Sequence, residues 1–160
     1  MIRYNDIKVF FEEHVTKKMY RDLSLDRNSG RAIINSRKLN YDFDEVNYSI
    51  KTSDTLFFKS GKIIFVEFKR GSISDSDFRL KATESIISFY NFIHKNGFTE
   101  SLNLPNDIFQ IYFVYDKNNS SPSKEFTFKA TERKLKIEYK HLYSKYEVID
   151  NDKFKRLFKI

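Results

Sequence analysis

The chain is predicted to be an α/β protein, a central mixed sheet flanked by helices, with its elements in the order α-β-β-β-α-β and a basic α/β extension behind them. Three observations predict it. Apolar residues at three- and four-residue steps open the chain, and two apolar runs meet at Ser60-Gly61. A long amphipathic helical pattern then leads into a further apolar run near 108–115. The 160 residues are enough for one domain with a sizeable core, drawn here as a core over about 5–116 and an extension over 117–160.

Taken in order, Ile7, Phe10, Phe11, His14 and Val15 line one side of a helix placed at about 6–21, with Asn5 or Asp6 as its cap. Residues 26–30 read as a turn and 32–34 as a short strand, within a stretch (22–45) whose pattern is weak. Residues 46–50 alternate at period two, which predicts a half-buried strand. Residues 54–69 form the clearest unit, two apolar strands joined at Ser60-Gly61 by a two-residue hairpin turn. Gly71 ends the second strand. A helix follows at about 77–96, with Ala82, Ile86, Phe89, Tyr90 and Ile93 on its apolar face and Gly97 at its C-terminal stop. A strand over 108–115 and a loop over 116–124 come next. Beyond the loop, Phe126, Phe128, Leu135, Ile137 and Tyr139 alternate with polar residues and read as strands, while a helix over 129–145 competes. Val148-Ile149 reads as a strand end, and Asp150 or Asn151 caps a short terminal helix bearing Phe154, Leu157 and Phe158.

Composition removes several classes. There is no cysteine, which excludes a disulfide framework, a cysteine-ligated zinc site and a thiol nucleophile. Apolar content of 40% excludes disorder, and no apolar run approaches the length of a membrane span. No apolar h-region follows Met1, so the expectation is a cytoplasmic protein without a membrane partner. The net charge of +7 is uneven: residues 1–116 carry 17 basic and 16 acidic side chains, residues 117–160 carry 12 and 6. Such a flank suits either a solvated surface or a phosphate backbone.

The hairpin places chemistry by register. With Ser60-Gly61 as the turn, Phe58 opposes Ile63, Leu56 opposes Phe65, and Asp54 opposes Glu67. Opposed residues share a face with Cβ atoms about 4.5–5.5 Å apart, and period two adds Lys69 to that face. Both faces of the hairpin are otherwise apolar, as in strands covered on two sides. Two carboxylates facing each other at the end of such strands repel and lose hydration, and a divalent cation relieves both penalties. Lys69 is then placed to orient water or to neutralise charge on a phosphate.

Asp54, then Glu67-Phe68-Lys69 on the next strand, then Arg70-Gly71 and a helix, resemble the PD-(D/E)xK nuclease superfamily, which includes restriction endonucleases and archaeal-type Holliday junction resolvases. Over about residues 5–116 the resemblance implies a restriction-endonuclease-like α-β-β-β-α-β core. It also implies that Asp54 and Glu67 hold Mg²⁺ or Mn²⁺ and that Lys69 assists phosphodiester hydrolysis. The proline that commonly precedes the aspartate is Ser53 here. Members often add an acid from the first helix; Glu12, Glu13 and His14 are the candidates, with Glu13 chosen. Arg70, Arg79 and Lys81 are candidate phosphate contacts, and Asp42, Asp44 and Glu45 are further acids available as ligands or as loop caps.

The function expected is thus a metal-dependent nuclease acting on nucleic acid, DNA before RNA. A junction-cutting enzyme would also need a homodimer. The alternative is a nuclease-like fold that binds nucleic acid or protein without catalysis.

Overall fold

The computed structural model describes residues 3–46, 52–98 and 104–160. Its centre is a six-stranded mixed sheet with helices on both faces. The elements are α1 (Tyr4–His14), β1 (Lys17–Met19), α2 (Tyr20–Leu23), β2 (Leu25–Asp26), β3 (Arg31–Ala32), β4 (Leu39–Asp42), β5 (Thr55–Lys59), β6 (Lys62–Lys69), α3 (Asp75–Lys95), β7 (Phe109–Tyr115), α4 (Pro122–Glu138), β8 (Lys145–Asp150) and α5 (Asn151–Phe158). The sheet runs β1-β4-β5-β6-β7-β8, while β2 and β3 pair separately as a small hairpin. Each of the first four sheet strands is antiparallel to its neighbour, and β6, β7 and β8 are parallel.

The central hairpin has the predicted register: Lys59 faces Lys62, Phe58 Ile63, Phe57 Ile64, Leu56 Phe65 and Thr55 Val66. Ser60 and Gly61 both take positive φ, 51° and 71°, as a turn whose twist matches the strands requires. Both faces are covered. Leu56, Ile63 and Phe65 join a core with α1, α3 and α4; Ile64, Val66 and Phe68 join a second core with Tyr20, Ile33, Ile34 and Phe154.

α3 starts where Ser74 accepts from the Asp77 amide (3.1 Å) and Asp77 caps Ser74 in return. It stops at Asn96, with Gly97 at φ 94°. Phe78, Ala82, Ser85, Phe89 and Ile93 are buried, whereas Tyr90, expected on that face, is 38% exposed.

Four expectations need correction. The first helix ends at His14, because the β-branched and basic run from Val15 to Lys18 leaves for the sheet edge as β1. The short strand expected over 32–34 is only β3, Arg31–Ala32, while Ile33 and Ile34 turn inward to the core. Of the strand expected over 46–50, Val46 closes a single 3-10 turn (Asp44–Val46), and 47–51 lie outside the described residues. Residues 122–138 are one helix. Pro122 opens it, Ser121 caps it by accepting from the Lys124 amide, and Phe128, Thr131, Glu132 and Leu135 form its buried face, leaving Ile137 72% exposed.

The segment 117–160 is no appendage. β8 pairs with β7 along its whole length, and Phe128, Leu135, Tyr143 and Tyr146 complete the first core. Among the described residues no helix is long and apolar enough to cross a membrane.

Candidate active site

Asp54 lies one residue before β5, and the Phe43 amide donates to its carbonyl (3.2 Å), extending the β4–β5 ladder to that point. One step beyond the Thr55–Val66 pair, it stands opposite Glu67. Its Oδ2 accepts from the Phe68 amide at 2.6 Å. Glu67 is only 3% exposed. Glu67 and Lys69 sit at the carboxyl end of β6, where β6 and β7 are parallel, the end at which open α/β sheets place ligands.

The two carboxyls disturb each other. Burial, then the Glu67 charge, pushes Asp54 well above the usual carboxylate range. Burial likewise raises Glu67, against the pull of the Lys81 ammonium. That ammonium comes from α3: Lys81 Nζ is 3.1 Å from Glu67 Oε1 and donates to the Thr52 carbonyl at 2.7 Å. Burial works against its charge, but Glu67 and Asp54 outweigh burial and raise its pKa. Lys81 is therefore a fixed cation beside the pair. Glu67 Oε2 is buried and has no hydrogen-bond partner among the described residues.

One turn along α3, Ser85 completes the frame. The Ser53 amide donates to Ser85 Oγ (3.1 Å), and the two hydroxyls are 2.5 Å apart. Lys81 and Ser85, four residues apart on one helix face, thus grip Thr52 and Ser53 and set the position of Asp54. A proline at position 53 has no amide hydrogen and could not make this bond.

Asp54, Glu67, Lys69 and Arg70 line a cleft of about 730 Å³. Lys69 makes no hydrogen bond or ion pair among the described residues, and its charge acts on Glu67 across the cleft. Asp42, Asp44 and Glu45 line the same cleft, as does Lys18, which ion-pairs with both Asp42 and Glu45. Asp44 accepts from Thr52 Oγ1 at 3.3 Å. Residues 22–28 and Ile33 supply the remaining wall.

The first helix does not contribute. Glu13 is exposed and absent from the cleft lining; Glu12 is bound by Lys17 and Tyr41, and His14 stacks on Phe10 at 4.4 Å. The buried side of α1 is Ile7, Phe10 and Phe11, which leaves Glu13 in solvent and Glu12 on Lys17 of β1 and Tyr41 of β4, outside the cleft. Arg79 also lies elsewhere, paired with Glu138 of α4. Arg70 is tethered: its Nε is 3.4 Å from Asp116 Oδ2, and its Nη1 donates to Ser29 Oγ at 2.6 Å. In the basic extension, Lys129, Lys134, Lys136 and Lys155 each pair with an acid, so part of its charge is balanced within the fold.

Sequence reasoning named Lys81 only as a phosphate contact, and it missed Lys18 and the wall from 22–28. The i, i+4 spacing of Lys81 and Ser85 was the available signal; Lys18 had none, because its partners Asp42 and Glu45 are distant in sequence, and the 26–30 turn marked the wall without placing it at the cleft. Among the described residues no three acidic or histidine side chains are grouped as a metal site. Two carboxylates, one with a buried unpartnered oxygen, still fit a small divalent cation that takes its other ligands from water and substrate. No family model, curated protein or solved structure matches this chain, so the reading of the site rests on its own geometry.

Proposed function

We propose that the protein is a metal-dependent nuclease that hydrolyses nucleic-acid phosphodiesters with water as the nucleophile. The observation that carries this reading is the opposed Asp54–Glu67 pair, its buried Oε2 without a hydrogen-bond partner among the described residues, beside Lys69, whose charge acts on Glu67. The succession of α1, antiparallel β4, β5 and β6, then α3 and parallel β7 supports it, being the order that the nuclease resemblance implies.

Asp54 and Glu67 would hold Mg²⁺ or Mn²⁺, which when bound polarises a phosphate oxygen and lowers the pKa of water. Lys69 orients the attacking water or faces the phosphate oxygen on which negative charge grows. Lys81, held protonated, offsets the carboxylate charge and keeps Glu67 in place. Ser85 positions Asp54 through Ser53.

The test is cleavage of supercoiled, linear and single-stranded DNA and of RNA, with Mg²⁺ or Mn²⁺ and with excess chelator. Metal-dependent cleavage lost in Asp54→Asn and Lys69→Met is the outcome expected. Cleavage that persists in chelator or in Asp54→Asn overturns the proposal.

A further inference from the structure

Three acids line the cleft at the end of β4, and they are not equivalent. Asp42 and Glu45 share the ammonium of Lys18. Asp44, between them, has no cation partner among the described residues and accepts only from the Thr52 hydroxyl there. Its side chain is exposed, on the cleft that Asp54 and Glu67 also line.

The backbone puts it beside the pair. The Phe43 amide donates to the Asp54 carbonyl, so the β4–β5 ladder carries Asp44 one residue past the partner of Asp54. There the chain leaves the ladder in the 3-10 turn Asp44–Val46. Thr52, fully buried, holds this corner. Its hydroxyl reaches the Phe43 carbonyl at 3.4 Å and Asp44 Oδ1 at 3.3 Å, and its carbonyl receives Lys81, the cation beside Glu67. The Asp44 charge accordingly acts on Asp54, Glu67 and Lys81 alike.

A divalent cation at the pair relieves the repulsion among all three carboxylates. Glu67 Oε2, buried and without a hydrogen-bond partner among the described residues, independently points to such an ion. No three acids among the described residues are grouped closely enough to share one ion directly. A cation such as Mg²⁺ keeps several of its waters, however, and a carboxylate just beyond the ligands can accept from them.

We propose that Asp44 is a positioning residue of this site, accepting a hydrogen bond from a water of the divalent cation held by Asp54 and Glu67. It thereby anchors the ion on the β4 side of the cleft, the role that the sequence assigned to Glu13 of α1. The proposal rests on the nuclease reading.

Calorimetry of the full chain with Mn²⁺ tests it on wild type, Asp44→Asn and Glu45→Gln. Asp44→Asn keeps an oxygen for the Thr52 hydroxyl and removes the charge. Glu45→Gln removes the same charge from the next residue. Asp44→Asn is expected to bind Mn²⁺ about 10- to 100-fold more weakly, the scale of partners one shell beyond a metal, with melting in chelator unchanged. Glu45→Gln stays near wild type. Raising Mn²⁺ by the same factor restores cleavage to Asp44→Asn and does not restore it to Asp54→Asn. Wild-type affinity in Asp44→Asn, or equal weakening in Glu45→Gln, overturns the inference and leaves the nuclease reading standing. So does a cleavage defect in Asp44→Asn that saturating Mn²⁺ does not lift. A wild type that binds no Mn²⁺ overturns both. Asp44-dependent Mn²⁺ binding without cleavage of any nucleic acid supports the metal contact and overturns the nuclease reading alone.

Discussion

Replacing Asp54 by Asn should make the metal-free protein more stable, although it removes a group the chemistry needs. The amide keeps an oxygen for the Phe68 amide to donate to, so the perturbation is the charge alone. At a carboxylate separation near the cross-strand Cβ spacing, about 5 Å, and an effective dielectric of about 20, two full charges repel by about 3 kcal/mol. Lys81, 3.1 Å from Glu67, offsets part of this, and proton uptake by the raised Asp54 removes more. A net gain of about 1–2 kcal/mol remains, or about 2–8 °C in Tm for a chain of this size. The sign with pH follows from the raised folded-state pKa. The wild type holds its full stability below the ordinary carboxylate value, near pH 4, and loses it as pH rises toward the folded value. The variant's advantage is therefore absent at pH 3 and complete above the window. Thermal melts in chelator across this range measure it. With Mn²⁺ at about a hundredfold excess over Kd the order reverses, because the wild type alone gains about 2.7 kcal/mol. A variant less stable than wild type in chelator at pH 8, or one stabilised equally by Mn²⁺, refutes the reasoning.

The two lysines should separate. Lys69→Met lowers the cleavage rate by about 10²–10⁴ with little change in melting, since among the described residues Lys69 makes no hydrogen bond or ion pair to lose. Lys81→Met leaves the buried Glu67 without its counter-ion and costs about 3 kcal/mol in denaturant unfolding. Ser85→Val orphans the buried Ser53 amide, costing about 1–3 kcal/mol, and weakens Mn²⁺ binding measured by calorimetry. Phe65→Ala, at the centre of the first core, costs about 3–5 kcal/mol, whereas Phe126→Ala, 74% exposed, stays within about 0.5 kcal/mol.

What could be read beforehand was what depends on neighbours in sequence. The hairpin from 55 to 69 follows from its turn and two apolar runs, and α3 from its caps and period. Their register alone brings Asp54 opposite Glu67. The stretch 17–42 was opaque because its strands are two to four residues long, and β1 and β4 have distant partners: β4 pairs with both β1 and β5. α4 misled because lysines alternating with Leu135, Ile137 and Tyr139 imitate a half-buried strand, while the buried face lies on Phe128, Thr131, Glu132 and Leu135. Glu13 was chosen by adjacency to an apolar stripe, and the handedness of α1 carries it into solvent.

Because β8 and α5 finish both cores, the order of synthesis has a bearing on activity. The β5–β6 hairpin is local and can pair as soon as its residues emerge. Its second face has only Tyr20, Ile33 and Ile34 to bury against until Phe154 and Phe158 arrive, and Tyr146 and Val148 complete the first face just before them. The sheet that carries Asp54 and Glu67 is therefore complete, with both of its faces covered, only after β8 and α5 have docked.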